Sequence, residues 1–223
     1  MPDWSVPPPG TAPGQGRAVD EGAEHPSQRV VLVRHAQTEW SLSGQHTGTT
    51  DLALTDQGRV LTEHLRRRLD GTRFDRVLTS PLRRAMQTCQ IAGFTDQAEI
   101  CDDLVEWDYG AYEGRTTADI RTEDPAWELW RDGAPGGETP ADVSDRVDRV
   151  VTALLDTCAH GGDVLVFGHG HSLKALTIRW LGLEIVHGRH LDLGTGSLSA
   201  LGWKREVRVL DRWNDRSHLP GVV

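Results

Sequence analysis

The apolar run Val30-Val31-Leu32-Val33 stops abruptly at Arg34-His35. No other junction constrains the fold as strongly. A short run rich in β-branched residues reads as a strand buried on both faces of a parallel sheet. Residues just past the carboxyl end of such a strand open into the crevice where α/β proteins bind ligands. Arg34 and His35, with Thr38 close behind, therefore place a fixed cation beside an imidazole at a binding crevice. An imidazole so placed can attack phosphorus and hold a phosphoryl group on nitrogen.

The rest of the chain alternates strand-like and helix-like segments, as a parallel sheet covered by helices requires. The first strand is expected at 29–33. A helix from the cap Thr55 to Leu69 stops at Gly71. A strand at 76–79 ends in Ser80-Pro81, and a helix at 82–92 stops at Gly93. Residues 99–104 read as a further strand. Thr139-Pro140 opens a long helix whose apolar face carries Val143, Val147, Val150, Val151, Leu154 and Leu155 and which ends near Gly161-Gly162. Asp163–Phe167 is a strand and Ser172–Leu181 a helix. Segments 198–203 and 207–213 form an antiparallel hairpin at the sheet edge, which either mediates a homodimer or simply finishes the sheet. The fold class is thus α/β, a three-layer α/β/α sandwich with a mostly parallel central sheet. Residues 1–28 hold Pro7-Pro8-Pro9 and no hydrophobic period, so a disordered tail is expected there. The domain is expected over 29–216, with a short C-terminal tail at 217–223.

Charge and cysteine usage narrow the function classes. The formal net charge of the 223 residues is −9, which argues against nucleic acid, whose phosphates need basic stripes. An acidic protein can still hold a small phosphate through local cations. Cys89, Cys101 and Cys158 are odd in number and include no CxxC pair, so reduced thiols in a cytoplasmic protein are expected. No run reaches the length of a membrane-spanning helix, and no secretory leader is visible.

Three of the four chemistry-bearing segments begin where an expected strand ends. They are Arg34-His35, Ser80-Pro81-Leu82-Arg83-Arg84, and Gly168-His169-Gly170-His171. The fourth is the loop Glu106-Trp107-Asp108-Tyr109-Gly110. Each motif is weak alone, because a lone His after a strand is more often structural and an Arg early in a helix usually lies at the surface. In this order, the set resembles the histidine phosphatase superfamily, whose fold is that of the phosphoglycerate mutases. The resemblance spans about 29–213.

The resemblance implies that His35 is the phosphoryl acceptor and Glu106 the proton donor. It implies that Arg34, Arg84 and a protonated His169 hold the phosphate. Thr38, Ser41, Thr47, Gly48, Tyr109, Gly170 and His171 are implied around the substrate. Ala36 and Ser41 stand where the family commonly has Gly and Asn. His35 must attack through an unprotonated nitrogen, so its other nitrogen is expected to donate to a fixed acceptor such as a carbonyl. The implied activity is hydrolysis of small phosphorylated metabolites, sugar or glycerate phosphates, with no metal and no cofactor. It looks closest to the acid-phosphatase and sugar-phosphate phosphatase branch.

Three other readings compete. A metal site at His169-x-His171 leaves Arg34 and Arg84 without a task, since cations repel a metal ion. A mutase would need a basic cluster for a second acidic group, and the short stretch between Gly114 and Gly137 lacks one. A non-catalytic phosphate-binding module conflicts with the intact set Arg34, His35, Arg84, Glu106 and His169. Of the tryptophans, Trp107, Trp127 and Trp130 are candidates for the pocket wall, whereas Trp180, Trp203 and Trp213 are expected to pack under helices or on the hairpin.

Overall fold

The computed structural model describes residues 28–221. The expected N-terminal tail lies outside these residues except for Gln28. The strands are β1 (Val30–Arg34), β2 (Arg76–Thr79), β3 (Ala98–Ile100), β4 (Val164–Gly168), β5 (Leu198–Lys204) and β6 (Val207–Asp215). The α-helices are α1 (Glu39–Ser43), α2 (Asp56–Leu69), α3 (Arg83–Ile91), α4 (Thr117–Glu123), α5 (Leu129–Asp132), α6 (Pro140–Ala159) and α7 (Gly170–Trp180). One six-stranded sheet runs in the order β3-β2-β4-β1-β5-β6. Its first four strands are parallel, and the hairpin β5–β6 closes it antiparallel.

Both faces of the central strands are buried, as the continuous apolar runs require. Val30, Leu32, Val164 and Val166 face one cluster with Val143, Val147, Val150 and Leu154 of α6 and Leu173 and Leu176 of α7. Val31, Val33, Leu165 and Phe167 face the other, with Leu65 and Leu69 of α2 and Cys89 of α3. Each such side chain contributes about 1.5–3 kcal/mol on burial. The arrangement is the three-layer sandwich expected. Trp180 is fully buried and meets Trp203 edge-on at 4.7 Å between ring centroids.

Helix starts follow local chemistry. Thr139 and Asp142 form a reciprocal capping box at α6, with Pro140 in its first turn. Thr55 accepts the Gly58 N–H at 2.9 Å to open α2. Three expectations shift. The strand expected at 99–104 is only β3, because Leu104 N–H turns back to the Cys101 carbonyl and 102–104 winds into a 3₁₀ turn. Helix α7 begins at Gly170 rather than at Ser172, because a remote carboxylate caps it. The segment after 216 packs back on the domain: Leu219 is buried, and His218 Nε2 lies 3.1 Å from the Gly196 carbonyl.

Candidate active site

Parallel register brings the expected chemistry together. Arg34 pairs with Gly168, and Phe167 is level with both Val33 and Thr79. His35, His169 and Ser80 therefore leave the sheet side by side, past the carboxyl ends of β1, β4 and β2. The two imidazoles lie 5.2 Å apart between centroids. His35 Nδ1 donates to the carbonyl of its neighbour Ala36 at 2.8 Å. That bond fixes the tautomer and leaves Nε2 with a free lone pair. Burial, then the charges of Arg34 and Arg84, hold the His35 pKa well below the ordinary imidazole value. The ring is thus neutral at physiological pH, with the Nε2 lone pair available to an electrophile.

The cations beside it divide their donors differently. Arg34 Nη1 donates to the Leu193 carbonyl, while its buried Nε has no partner among the described residues. A methyl on Gly170 would come within 3.3 Å of the guanidinium carbon, so the bare glycine lets Arg34 lie flat against the start of α7. Arg84 is fully buried. Its Nε donates to His169 Nδ1 at 3.0 Å, and its terminal nitrogens donate to the carbonyls of Thr47, Gly48 and Thr50.

Glu106 enters from the far side. Its Oε1 accepts the N–H groups of Trp107 and Ser172, and its Oε2 accepts that of His171 at 2.9 Å. The carboxylate thus caps α7, whose own cap residue His169 offers no side-chain bond. Arg146 on α6 holds the loop in place. It donates to the carbonyls of Asp103, Val105 and Glu106 and to both carboxylate oxygens of Glu138. Glu138 in turn accepts the Asp108 N–H. Gly137 permits this close packing, since a Cβ there would sit 2.2 Å from the Asp108 carbonyl.

A match to the histidine phosphatase superfamily (branch 1) covers residues 30–216. The chain belongs to this superfamily. An acid phosphatase of Mycobacterium tuberculosis is 40% identical over 186 residues, covering 82% of this chain and 91% of its own. Sedoheptulose 1,7-bisphosphatase of Saccharomyces cerevisiae is 34% identical, covering 70% of this chain and 69% of its own. A solved M. tuberculosis open-reading-frame product superposes with a TM-score of 0.80 at 39% identity, covering 84% of this chain and 97% of that one.

Within this histidine phosphatase, Arg34, His35, Ser41, Thr47, Glu106, Tyr109, Gly170 and His171 line a cleft of about 290 Å³. Four expected residues do not line it. Arg84 and His169 are fully buried behind His35. Thr38 is a fully buried cap of α1, and Gly48 packs under the Trp107 carbonyl. The Ser41 hydroxyl donates to the Thr38 carbonyl at 2.8 Å rather than into the cleft. The protonated His169 expected from sequence is also absent from this network. Its Nδ1 accepts from Arg84, its Nε2 donates to Ser80 Oγ at 2.7 Å, and burial followed by the Arg84 charge pushes its pKa well down. His171 accepts from the Tyr109 hydroxyl at 2.6 Å, so the two histidines of the HxH pair serve different neighbours.

Sequence reasoning missed five residues, four of them in the cleft. Trp40, Lys174 and Asp192 line the cleft. His46 also lines it and stacks on Tyr109 at 4.6 Å between centroids. Arg146 was missed as well, although it left a signal: a charged residue three positions after Val143 and four before Val150, on the apolar spacing of α6. Trp107, Trp127 and Trp130 are buried and back the wall rather than form it. Trp127 stands against His46, and Trp107 and Trp130 against His171.

Proposed function

We propose that this histidine phosphatase hydrolyses monoesters of small phosphorylated metabolites, sugar or glycerate phosphates, through a phosphohistidine at His35. The observation that carries the reading is the locked imidazole, with Nδ1 tied to a carbonyl and Nε2 free beside Arg34. In the first step Nε2 attacks phosphorus, the ester P–O bond breaks, and the leaving alkoxide takes a proton from Glu106. That proton belongs on Oε2, because Oε1 already accepts two N–H groups while Oε2 accepts one. In the second step Glu106 takes a proton from water as the oxygen attacks phosphohistidine, which frees His35 and inorganic phosphate. Arg34 and, through its charge, Arg84 stabilise the equatorial oxygens.

Among the described residues no helix is long and apolar enough to cross a membrane. The three unpaired cysteines suit a reducing cytoplasm. A homodimer through the outer strand β6, whose Val207 is exposed, would appear as doubled mass in light scattering.

The test is rapid mixing with p-nitrophenyl phosphate, an alkaline quench and peptide mapping. Phosphate on the His35 peptide, lost together with turnover in His35→Ala, is the expected result. Hydrolysis that persists in His35→Ala without any adduct would overturn the proposal. Incubation with 3-phosphoglycerate separates release of phosphate from its migration within the molecule.

A further inference from the structure

The cleft holds a second cation that the hydrolytic steps do not use. Lys174 lies on α7 one turn beyond Gly170, so its side chain leans back over the turn against which Arg34 rests. It lines the same cleft as Arg34, His35 and His171. Its Nζ stands 5.2 Å from the centroid of the buried Trp130 ring. Among the described residues it makes no hydrogen bond and no ion pair within 4 Å.

An ammonium is a donor-only point charge, and partial burial without an anionic contact is costly for it. The face of Trp130 offsets part of that cost. Burial draws the Lys174 pKa down to about 8, against the opposing pull of Glu106, Asp192 and Glu128 and with Arg34 adding to the lowering. The group remains a cation at neutral pH. Glu106 is tied to the start of α7, and the exposed Asp192 sits on the cleft rim. Neither carboxylate pairs with it.

Building on the phosphatase reading, we propose that Lys174 binds a second oxyanion of the substrate, so that preferred substrates are phosphomonoesters carrying a carboxylate or a further phosphate on the same small skeleton. The reacting phosphate lies between His35 and Arg34, and the second anion meets the ammonium over Trp130. Asp192 at the rim accepts from hydroxyls of the skeleton between them.

Matched substrates test this. 3-Phosphoglycerate and glycerol 3-phosphate differ only in carboxylate against hydroxymethyl at one end. Phosphate release is measured for both with the native enzyme, Lys174→Met and Lys174→Arg. The native enzyme should favour 3-phosphoglycerate. Lys174→Met should lose about 10- to 100-fold in kcat/KM on it, mostly through KM, the range expected for one charge-assisted contact. The same variant should change by less than about 3-fold on glycerol 3-phosphate, where no such contact exists to lose. Lys174→Arg should keep the preference. Equal losses on both substrates would place Lys174 on the reacting phosphate and overturn the proposal. No loss on either, with only a lower Tm, would make Lys174 a packing residue and also overturn it. Calorimetric binding of the two compounds to His35→Ala, with and without Lys174→Met, reads the same contact without turnover. If the native enzyme hydrolysed neither compound while this binding preference held, the phosphatase reading would be refuted and the anion site would stand.

Discussion

Replacing Arg146 tests how Glu106, the proposed proton donor, is held. All five of its N–H groups are committed: two contacts go to Glu138 at 2.6 and 2.9 Å, and three to the carbonyls of Asp103, Val105 and Glu106. Its side chain is only 8% exposed and that of Glu138 20%. Arg146→Met removes one partner of a buried pair, which costs about 3–5 kcal/mol. For a domain of this size that is a fall of about 6–20 °C in Tm. The same substitution frees the 103–108 segment, and a misplacement of about 1 Å at Glu106 costs about 10²-fold. The kinetic loss must depend on the leaving group. An alkoxide needs the proton, whereas p-nitrophenolate leaves without it. Steady-state kinetics on glycerol 3-phosphate and p-nitrophenyl phosphate, with thermal unfolding alongside, separates the two effects. Arg146→Met with Glu138→Gln neutralises the stranded carboxylate and keeps an acceptor for the Asp108 N–H, so most of the Tm should return. Alkyl-ester turnover should stay low, because the three loop carbonyls still lack their donor. Recovery of both Tm and alkyl-ester turnover in the double variant would refute this reasoning, since charge balance alone would then suffice to place Glu106.

Glu106→Gln should slow glycerol 3-phosphate hydrolysis about 10²- to 10⁴-fold while phosphoryl transfer from p-nitrophenyl phosphate changes far less. Equal losses on the two esters, seen in single-turnover kinetics, would count against Glu106 as the donor. Stability should fall as pH drops from 6.5 towards 4. His35, His169 and His171 are held neutral well below 6.5, and His46 down to about 4, by burial first in each case. The unfolded chain therefore takes up protons in that window and the folded chain does not. His46 alone accounts for about 3 kcal/mol by pH 4, and His46→Gln should flatten a Tm-against-pH curve measured from pH 7.5 to 4.5. Gly48→Ala would put a methyl 2.5 Å from the Trp107 carbonyl, so it should lower Tm and kcat together; unchanged values of both would show that the loop yields without cost.

The parts of the fold that were legible in the chain are those encoded locally. Val30–Val33 and Val164–Phe167 announce their strands because both faces are buried, and α6 announces itself through Thr139, Pro140 and an apolar stripe broken only by Arg146. Helices α1 and α4 were invisible because they bury almost nothing: no residue of α1 is buried, and Ile120 alone in α4. Helix α5 buries Leu129 and Trp130 but is a single turn, too short to show a period. Their stability comes from caps and from what packs on them. The start of α7 was misplaced because its cap is Glu106, remote in sequence. The same logic separates the site residues. His35, Glu106 and the arginines follow strand ends or sit in a recognisable loop. Lys174 and Asp192 reach the cleft only through the packing of α7 and the turn before β5, and nothing in their own neighbourhoods marks them. Ser41 and Thr38 were placed at the substrate by the family resemblance of the segment after His35. In the fold their hydroxyls close a capping box instead.

Arg34 and Arg84, equivalent in a sequence reading, differ in what they have left to give. Arg84 spends four of its five N–H groups on His169 and on the carbonyls of Thr47, Gly48 and Thr50. Its main effects are to pin the 47–50 loop and to keep His35 and His169 neutral by its charge. Arg34 donates to the Leu193 carbonyl, and its buried Nε has no partner among the described residues. Lysine substitution should therefore separate them. Arg34→Lys loses the planar fork at the phosphate and should lower kcat/KM about 10²-fold on alkyl and aryl esters alike, with little change in Tm. Arg84→Lys keeps the charge but leaves buried carbonyls without donors, at roughly 1–3 kcal/mol for each one, so Tm should fall first and activity with it. If Arg34→Lys unfolded the domain while Arg84→Lys damaged only catalysis, the division drawn from their hydrogen bonds would be wrong, and Arg84 would have to exchange its loop carbonyls for phosphate oxygens in every turnover.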